Sequence, residues 1–354
     1  MTITLESLTA QIPPLDESAM QAARARQDRL TKPQGSLGRL EALSIQLAGM
    51  TGQPRPCLAH KVITVMAGDH GVTAEGISAY PSEVTFQMVA NFLAGGAAIN
   101  VLGRQVGARV VVVDMGVEVE LPLNKGLVSK KIGCGTGNIA REAAMSRVQA
   151  ARAVLAGAEV VEAEAAHGLD ILVPGDMGIG NTTASAAIAA SVLGRAPGEI
   201  VGCGTGLDEA GRRRKVQVVE QALALHHPNP ADSLDVLAKV GGFEIAGLAG
   251  AMLAAAARRV PILLDGFIST AAALLAVQLA PQAHSYLIAA HRSQERGHGL
   301  MLEWLGLRPL LDLDLRLGEG SGAALALPLV DAACRLLDEM ATFGEAGVSE
   351  KESA

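Results

Sequence analysis

The sequence predicts an α/β protein built on a doubly wound parallel sheet of about six strands. Short aliphatic runs are each followed by a glycine-rich or polar turn, and alanine-rich stretches of helical length lie between them. Buried strands that alternate with helices are typical of a parallel sheet covered on both faces. The predicted strands are Val62–Met66, Val110–Val113, Ile171–Val173, Glu199–Val201, Ile262–Leu264 and Tyr286–Ala289.

The polar turns indicate where a ligand binds. In a doubly wound sheet, ligands bind outside the carboxyl ends of the strands, where the turns that leave the strands gather. Helices of this sheet are predicted in stretches such as Thr183–Leu193 and Ala246–Arg258.

The two ends of the chain differ from the middle because their patterns are helical and contain no strand. Ser36 can cap a leucine-rich helix, and Pro328 can occupy the first turn of another. We therefore expect a small helical domain formed by residues 1–56 and 328–354. Residues 57–327 would form the large α/β domain that carries the active site.

Composition excludes some classes of protein. The chain has 354 residues, of which 49% are hydrophobic and 18% charged, enough for a substantial core. A net charge of −7, with one Trp, two Tyr and five Phe, argues against a nucleic-acid partner. The uncharged apolar run Ile245–Ala257 has 13 residues, fewer than the roughly 20 that span a bilayer. Four scattered cysteines and no secretory signal predict a cytoplasmic protein.

Glu319 is the first candidate catalytic residue. It lies between two glycines in the segment Arg316–Ala326, whose surroundings are apolar. Because glycine has no Cβ, the glycines on both sides of Glu319 allow a ligand to approach the backbone closely. A carboxylate that loses solvent there has a raised pKa and becomes a better proton acceptor near neutral pH. A solvated glutamate in a surface loop would give the same local pattern.

The segment Gly175–Thr183 is the second candidate, because it combines a strand exit with a helix start. Asn181, Thr182 and Thr183 would add polar side chains to the free N–H groups of that helix, and together these can hold a phosphate. Lys215, on a later helix, could reach the same phosphate. The alternative is an ordinary helix cap.

Two other kinds of site are disfavoured. The sequence has no Gly-x-Gly-x-x-Gly that opens a helix and no Gly-Lys-Ser/Thr of a P-loop. His70, His291 and His298 lack the i, i+4 spacing of helical metal ligands, so no metal site is expected. We expect no cofactor.

Several segments, in order, resemble the nicotinate-nucleotide–dimethylbenzimidazole phosphoribosyltransferase family. These segments are Lys32–Glu41, Gly68–Val72, Gly175–Thr183, Lys239–Phe243, Leu263–Phe267 and Arg316–Ala324. The resemblance implies transfer of phosphoribose from nicotinate mononucleotide to 5,6-dimethylbenzimidazole, which gives nicotinate and α-ribazole 5′-phosphate with inversion at the anomeric carbon. It also implies a Rossmann-like sheet domain, a small helical domain from both termini, and a homodimer.

The motifs and the resemblance together define the candidate site. Glu319 falls on the family's general base, and Asp176 is a second catalytic candidate. The candidate substrate-binding residues are Tyr80, Gln87, Met88, Gly178, Gly180, Asn181, Thr182, Gly204, Lys215, Arg316, Leu317, Gly318 and Gly320.

Three positions depart from the family pattern. Residue 176 is Asp where members often have Glu, so this carboxylate has a shorter reach. Tyr80 and Met88 stand where members can place polar side chains in the pocket for the aromatic base. The departures affect base preference and leave the reaction unchanged.

Two other functions remain as hypotheses. One is a nicotinamide-dependent oxidoreductase on a similar sheet, which the missing glycine fingerprint disfavours. The other is a nucleotide-binding protein without catalytic activity, against which the intact loop around Glu319 argues.

Overall fold

The computed structural model describes residues 4–122, 124–204 and 206–349, which are organised around a six-stranded, all-parallel sheet. The strand order is β3-β2-β1-β4-β5-β6, the order of the Rossmann fold. The strands are β1 Lys61–Gly68, β2 Ala108–Gly116, β3 Leu127–Ser129, β4 Ile171–Met177, β5 Ile262–Leu264 and β6 Leu287–Ala289, with a separate parallel pair, β7 His291–Arg292 and β8 Leu311–Asp312.

Helices cover both faces of this sheet. They are α1 Leu5–Ala10, α2 Glu17–Gln27, α3 Arg39–Thr51, α4 Glu83–Ala94, α5 Ala98–Val106, α6 Arg147–Ala165, α7 Asn181–Leu193, α8 Pro197–Ile200, α9 Glu209–His226, α10 Ser233–Val240, α11 Phe243–Ala257, α12 Phe267–Leu279, α13 His298–Trp304, α14 Ser321–Glu339 and α15 Phe343–Ala346. On β1, Met66 lies against Gly247 of α11, and Ile63 lies near Gly103 of α5. Strand residues three apart point to opposite faces, so α11 and α5 cover opposite sides.

The predicted fold class is confirmed, but one predicted strand is wrong. Residues 199–201 do not form a strand, because α8 occupies Pro197–Ile200 and Val201 N–H donates to the Pro197 carbonyl at 2.9 Å. Pro197 presets the helical φ at the start of α8, and Glu199 accepts a hydrogen bond from Ala196 N–H. A short apolar run does not distinguish a strand from a buried helical turn.

One strand was not predicted. β3, Leu127–Ser129, has three residues and forms the edge of the sheet, where it pairs with Val112–Asp114 of β2. Its side chains are only partly buried, so its sequence lacks the apolar run that marked the interior strands. The sheet has six strands, as expected, but residues 199–201 are not one of them and β3 is an additional one.

The helices at the two ends pack together. Ala19, Ala23, Ala48 and Leu337 form a small buried cluster that joins α2, α3 and α14. α3 begins at Arg39 after Gly38, two residues later than a cap at Ser36 would place it. Pro328 is inside α14 rather than in its first turn, and α14 runs through the predicted domain boundary. The division into two domains stays a prediction.

One segment of the described residues, Glu83–Val106, is apolar and long enough to cross a membrane by composition alone, and 28% of its most apolar 18-residue window is buried. It is two helices, α4 and α5, which are separated at Gly95, a left-handed residue. Helices of 12 and 9 residues measure about 18 and 14 Å, each shorter than the roughly 30 Å hydrocarbon core.

Glycines allow α6 and α11 to pack with their backbones in contact. A Cβ on Gly157 of α6 would overlap the carbonyl oxygen of Gly247, and a Cβ on Gly250 of α11 would overlap that of Val154. α11 is buried over almost its whole length, so neither helix can move away without opening the core.

We expect Gly250→Ala to lower the free energy of unfolding by about 3 kcal/mol, because the methyl group has no space between the two backbones. Gly299→Ala is the matched control, since Gly299 lies in α13 with open space around its Cα. It should stabilise the protein by about 0.5–1 kcal/mol. Urea unfolding of both variants tests the prediction, and equal stabilities would contradict it.

Candidate active site

The strand order reverses between β1 and β4, and the candidate site lies at the carboxyl edge of the sheet around that point. His70 follows β1, Asp176 lies near the end of β4 and Asp265 follows β5. All three side chains are buried. Ionisable groups buried at the ligand-binding edge of an open sheet mark a candidate functional site.

Glu319 is held by a strained loop and by a distant helix. Gly318, Glu319 and Gly320 have φ angles of +83°, +63° and +90°, so the loop is left-handed where it enters α14. The Glu319 Oε2 atom accepts a hydrogen bond of 3.1 Å from Ile99 N–H, in the first turn of α5. The N-cap of α5 is Ala97, which has no side-chain acceptor, so Glu319 satisfies an otherwise free donor.

The loops that carry the two candidate carboxylates touch each other. A Cβ on Gly175 would overlap the backbone carbonyl of Glu319, and a Cβ on Gly318 would lie 3.1 Å from Asp176 Oδ2. Asp176 Oδ2 also accepts a hydrogen bond of 2.9 Å from Asn181 Nδ2. The two predicted catalytic residues are therefore neighbours, although they are far apart in the chain.

Burial changes the acidity of both carboxyl groups. Burial raises the pKa of Asp176 well above its ordinary value, and the nearby charge of Asp265 raises it further. Burial also raises the pKa of Glu319, against the hydrogen bond from Ile99, and Asp265 again adds to the increase. A carboxylate with a raised pKa is a stronger proton acceptor near neutral pH.

The predicted phosphate-binding residues are together. α7 begins at Asn181 after Gly180, whose φ is +95°, and no side chain caps this helix. Lys215 of α9 is buried, and its Nζ donates to Thr182 Oγ1 at 2.5 Å. Burial lowers the pKa of Lys215 to about 8, and the charge of Glu295 opposes this shift. A helix N-terminus beside a lysine provides an anion-binding site.

A cavity joins the phosphate residues to the loop before Glu319. Arg316 contributes to one wall and donates from Nη1 to the Gly204 carbonyl at 2.9 Å. The residues that line the cavity are Asp176, Asn181, Thr182, Gly204, Gly266, Phe267, Ile268, His291, Ser293, Glu295, Arg316, Leu317 and Gly318. Seven of the predicted site residues are in this set. Within the described residues, no cluster of His, Cys, Asp and Glu is arranged to hold a metal ion.

The residues predicted for the aromatic-base pocket lie outside this cavity. Tyr80 precedes α4 and is 52% exposed, and Gln87 on α4 is also exposed. Met88 is partly buried and packs against the core. α4 is nevertheless connected to the phosphate loop, because Ile179 N–H donates to Thr85 Oγ1 at 3.1 Å.

The sequence did not predict a buried pair behind the phosphate loop. His70 Nε2 lies 2.6 Å from Glu244 Oε1, and both side chains are fully buried. A Cβ on Gly180 would lie 3.1 Å from the His70 Cβ, and one on Gly178 would lie 3.5 Å from Glu244 Oε1. The pair therefore supports the loop from beneath. The segment Gly68–Val72 drew attention to His70, but nothing local indicated Glu244 as its partner.

A second unpredicted group fixes the turn after β7. Ser293 N–H donates to His298 Nδ1 at 2.8 Å, and His298 Nε2 lies 3.0 Å from Thr270 Oγ1. Burial lowers the pKa of His298 to about 3, and the neighbouring His291 contributes to the decrease. His298 is therefore neutral at physiological pH, so that Nδ1 can accept from Ser293 and hold it in the cavity wall.

Comparisons with known proteins agree on a class of enzyme. A family model described as phosphoribosyltransferase matches residues 12–348. A nicotinate-nucleotide–dimethylbenzimidazole phosphoribosyltransferase from Roseiflexus sp. (strain RS-1) is 62% identical over 98% of this chain and 98% of its own. One of the same name from Desulforudis audaxviator is 57% identical over 97% of both chains.

The fold is also similar to that of a solved structure of an enzyme with this name. The crystal structure of an enzyme of this name from Thermus thermophilus matches with a TM-score of 0.91 and 50% identity, over 95% of this chain and 100% of that one. The chain belongs to the nicotinate-nucleotide–dimethylbenzimidazole phosphoribosyltransferase family, which makes it a pentosyltransferase. The predicted family and enzyme class are confirmed.

We expect the buried His70–Glu244 pair to make stability depend on pH. Burial alone lowers the pKa of His70, but the charge and hydrogen bond of Glu244 raise it, and the net value lies above the ordinary 6.5. The stabilisation from this raised pKa is fully present below pH 6.5 and is lost as pH rises through the folded-state pKa. Glu244→Gln should lower the free energy of unfolding by about 3 kcal/mol at pH 6 and by less at pH 9.

Urea unfolding of wild type and Glu244→Gln between pH 6 and 9 measures this difference. Glu162→Gln on the exposed surface of α6 is the control, and its cost should be small at every pH. A cost of Glu244→Gln that stayed constant over this range would show that His70 does not change charge in the pair.

Proposed function

We propose that this chain transfers phosphoribose from nicotinate mononucleotide to 5,6-dimethylbenzimidazole and produces nicotinate and α-ribazole 5′-phosphate for cobalamin nucleotide-loop assembly. Family membership supports the reaction. The observation that carries the proposal is the meeting of two loops, one with the buried Glu319 carboxylate and the other leading into the uncapped start of α7. This arrangement places a proton acceptor close to an anion-binding helix terminus.

The reaction forms one C–N bond and breaks another. A ring nitrogen of the benzimidazole attacks C1′ of the ribose from the face opposite the nicotinate, which inverts that carbon. The bond from C1′ to the pyridinium nitrogen breaks, and its electron pair neutralises the positive charge of the ring. Nicotinate therefore leaves without protonation. The other benzimidazole nitrogen loses its proton to Glu319, so one carboxylate is sufficient.

Asp176 has a different part in this proposal. Burial and the charge of Asp265 raise its pKa well above the ordinary value, which opposes a further negative charge beside Glu319. Its Oδ2 atom also holds the Asn181 amide at the start of α7. Asp176 thereby connects the loop of the proton acceptor to the loop of the phosphate.

The phosphate of nicotinate mononucleotide is bound by residues 178–183 and Lys215. Gly178 and Gly180 let the loop pack closely on the Gly68 backbone and on His70, while Asn181, Thr182 and Gly204 line the cavity. The ammonium of Lys215 donates to Thr182 Oγ1 and so fixes the position of that hydroxyl. A phosphate at this position could accept a hydrogen bond from the hydroxyl and would lie near the positive charge of Lys215.

The loop before α14 forms the opposite side of the cavity. Arg316, Leu317 and Gly318 line it, and Gly320 follows Glu319 in the same loop. The left-handed φ of Gly320 turns the chain into α14. This side of the cavity therefore leads from the phosphate residues to the proton acceptor.

The aromatic base is placed between the Glu319 loop and the start of α4. Met88 supplies apolar contact area to the flat ring, while Tyr80 and Gln87 lie at the edge of the pocket. Each methyl group of the ring is worth about 1–3 kcal/mol of discrimination, so removing the methyl groups lowers the catalytic efficiency without abolishing the reaction. Unsubstituted benzimidazole is therefore a substrate in this proposal.

We also propose that the enzyme is a homodimer in the cytoplasm. Exposed apolar side chains gather around α4 and α5, with Phe86 38% and Val101 52% exposed. A partner subunit would cover this surface, which is continuous with the proposed base pocket.

We expect Glu319→Gln to lower turnover by about 100-fold while binding of nicotinate mononucleotide stays nearly normal, because the amide cannot accept the proton. In the wild type, activity should fall as pH decreases through the raised pKa of Glu319. That acid limb should be absent in the variant. Single-turnover nicotinate release, with and without 5,6-dimethylbenzimidazole, measures the effect.

The control is Glu220→Gln, which changes an exposed carboxylate on α9 and should leave turnover unchanged. If Glu319→Gln kept at least half of wild-type turnover, Glu319 would not be the proton acceptor.

For the phosphate site, Lys215→Ala should raise the dissociation constant of nicotinate mononucleotide by about 10–100-fold, the usual effect of losing one charge-assisted contact to an anion. Binding of 5,6-dimethylbenzimidazole should change less than about 3-fold. Calorimetric titration of each ligand gives both values. Arg213→Ala, on an exposed part of the same helix, is the control. Equal weakening of both ligands would indicate a folding defect instead of a lost phosphate contact.

A further inference from the structure

Glu319 needs support because its backbone conformation is unfavourable. It is one of four non-glycine residues with positive φ among those described, and left-handed residues stand on both sides of it. Such a conformation persists only where the surroundings hold it. Ile99 holds the end of the side chain, so the backbone of the loop must be fixed by other residues.

Asp265 makes the contacts that fix this backbone. Its Oδ2 atom accepts a hydrogen bond of 3.2 Å from Gly320 N–H, directly after Glu319. Its Oδ1 atom accepts one of 3.0 Å from Ala323 N–H, in the first turn of α14. Gly320 is the N-cap of α14 and has no side chain, so Asp265 supplies the missing cap from the turn after β5.

Asp265 itself has a fixed position. It is 1% exposed and follows β5 directly, so its backbone is tied to the sheet. The charged or titratable groups nearby are His291, on β7, and the carboxyls of Asp176 and Glu319. His291 Nε2 lies 3.6 Å from Asp265 Oδ1. Asp265 is not among the residues that line the cavity, whereas the next residue, Gly266, is.

We propose that Asp265 is the positioning residue of the candidate base: its two oxygens fasten the backbone that follows Glu319, and the Glu319 carboxylate is thereby kept on the N–H of Ile99. The proposal rests on the function proposed above. It assigns to Asp265 a role in turnover that acts through Glu319 rather than through the substrate.

The variant Asp265→Asn tests this role. Asparagine has the same size and keeps an oxygen for Ala323 N–H, but its amide group faces the donor of Gly320. We expect turnover to fall by about 10–100-fold and the Michaelis constant for nicotinate mononucleotide to change less than about 3-fold. The acid limb of the pH profile should move to lower pH, because Asp265 no longer raises the pKa of Glu319.

A double-mutant cycle separates positioning from a general loss of structure. In the Glu319→Gln background, Asp265→Asn should reduce turnover less than about 3-fold further, because residues that act as a unit are not additive. Asp232→Asn makes the same substitution at the residue that caps α10, a different helix, and should leave turnover unchanged. If Asp265→Asn does not fold, Asp265→Ser keeps one acceptor oxygen and should give the same pattern.

Two outcomes would overturn the proposal. A loss from Asp265→Asn that is equally large with Glu and with Gln at position 319 would show that Asp265 does not act through Glu319, and would leave the proposed base in place. Wild-type turnover in Glu319→Gln alone would instead overturn the proposed function of Glu319, and the positioning role with it.

Discussion

The absence of a side chain at Gly175 is the constraint on which the candidate site depends. The backbone carbonyl of Glu319 occupies the space where a Cβ on Gly175 would lie. Gly175 belongs to β4 and comes directly before Asp176, so this contact sets the position of both carboxyl groups. It also fixes the end of β4 from which the chain turns into α7. One backbone contact therefore connects the proton acceptor to the phosphate loop.

Buried polar groups then hold the two loops from behind. Asp265 fastens the start of α14, and the His70–Glu244 pair lies under the glycines of the phosphate loop. Buried carboxylates are costly unless they are hydrogen-bonded or paired, and left-handed residues such as Glu319 add strain. The same burial raises the pKa of Glu319, which is the property that a base near neutral pH needs. Features that cost stability are thus concentrated where the chemistry is proposed.

The sequence predicted those parts of the site that have local signals. Glycines around Glu319, and a strand that leads into a polar helix start at Asn181, are visible in short windows, and the structure contains both features. His70 and Glu244 are 174 positions apart, and only the fold brings them together. The same applies to Asp265 and the start of α14. Pairs of this kind are set by tertiary contacts, which no local pattern contains.

The errors in the fold have a related origin. Ile200 and Val201 are β-branched and are followed by Gly202, which fits a strand, yet the proline at 197 starts a helical turn. β3 is short and partly exposed, so its sequence carries no run of buried residues. Pro328 was assigned to a first turn, but α14 had already begun at Ser321, where Asp265 provides the cap.

A crystal structure of Glu319→Gln with nicotinate mononucleotide and 5,6-dimethylbenzimidazole tests the account most directly, because the slow variant can hold both substrates. We expect the phosphate oxygens to lie within about 3 Å of Thr182 Oγ1 and Lys215 Nζ, and a benzimidazole nitrogen to lie within about 3 Å of the side chain at 319. A phosphate bound away from the start of α7, or a base whose nitrogens lie far from residue 319, would contradict it.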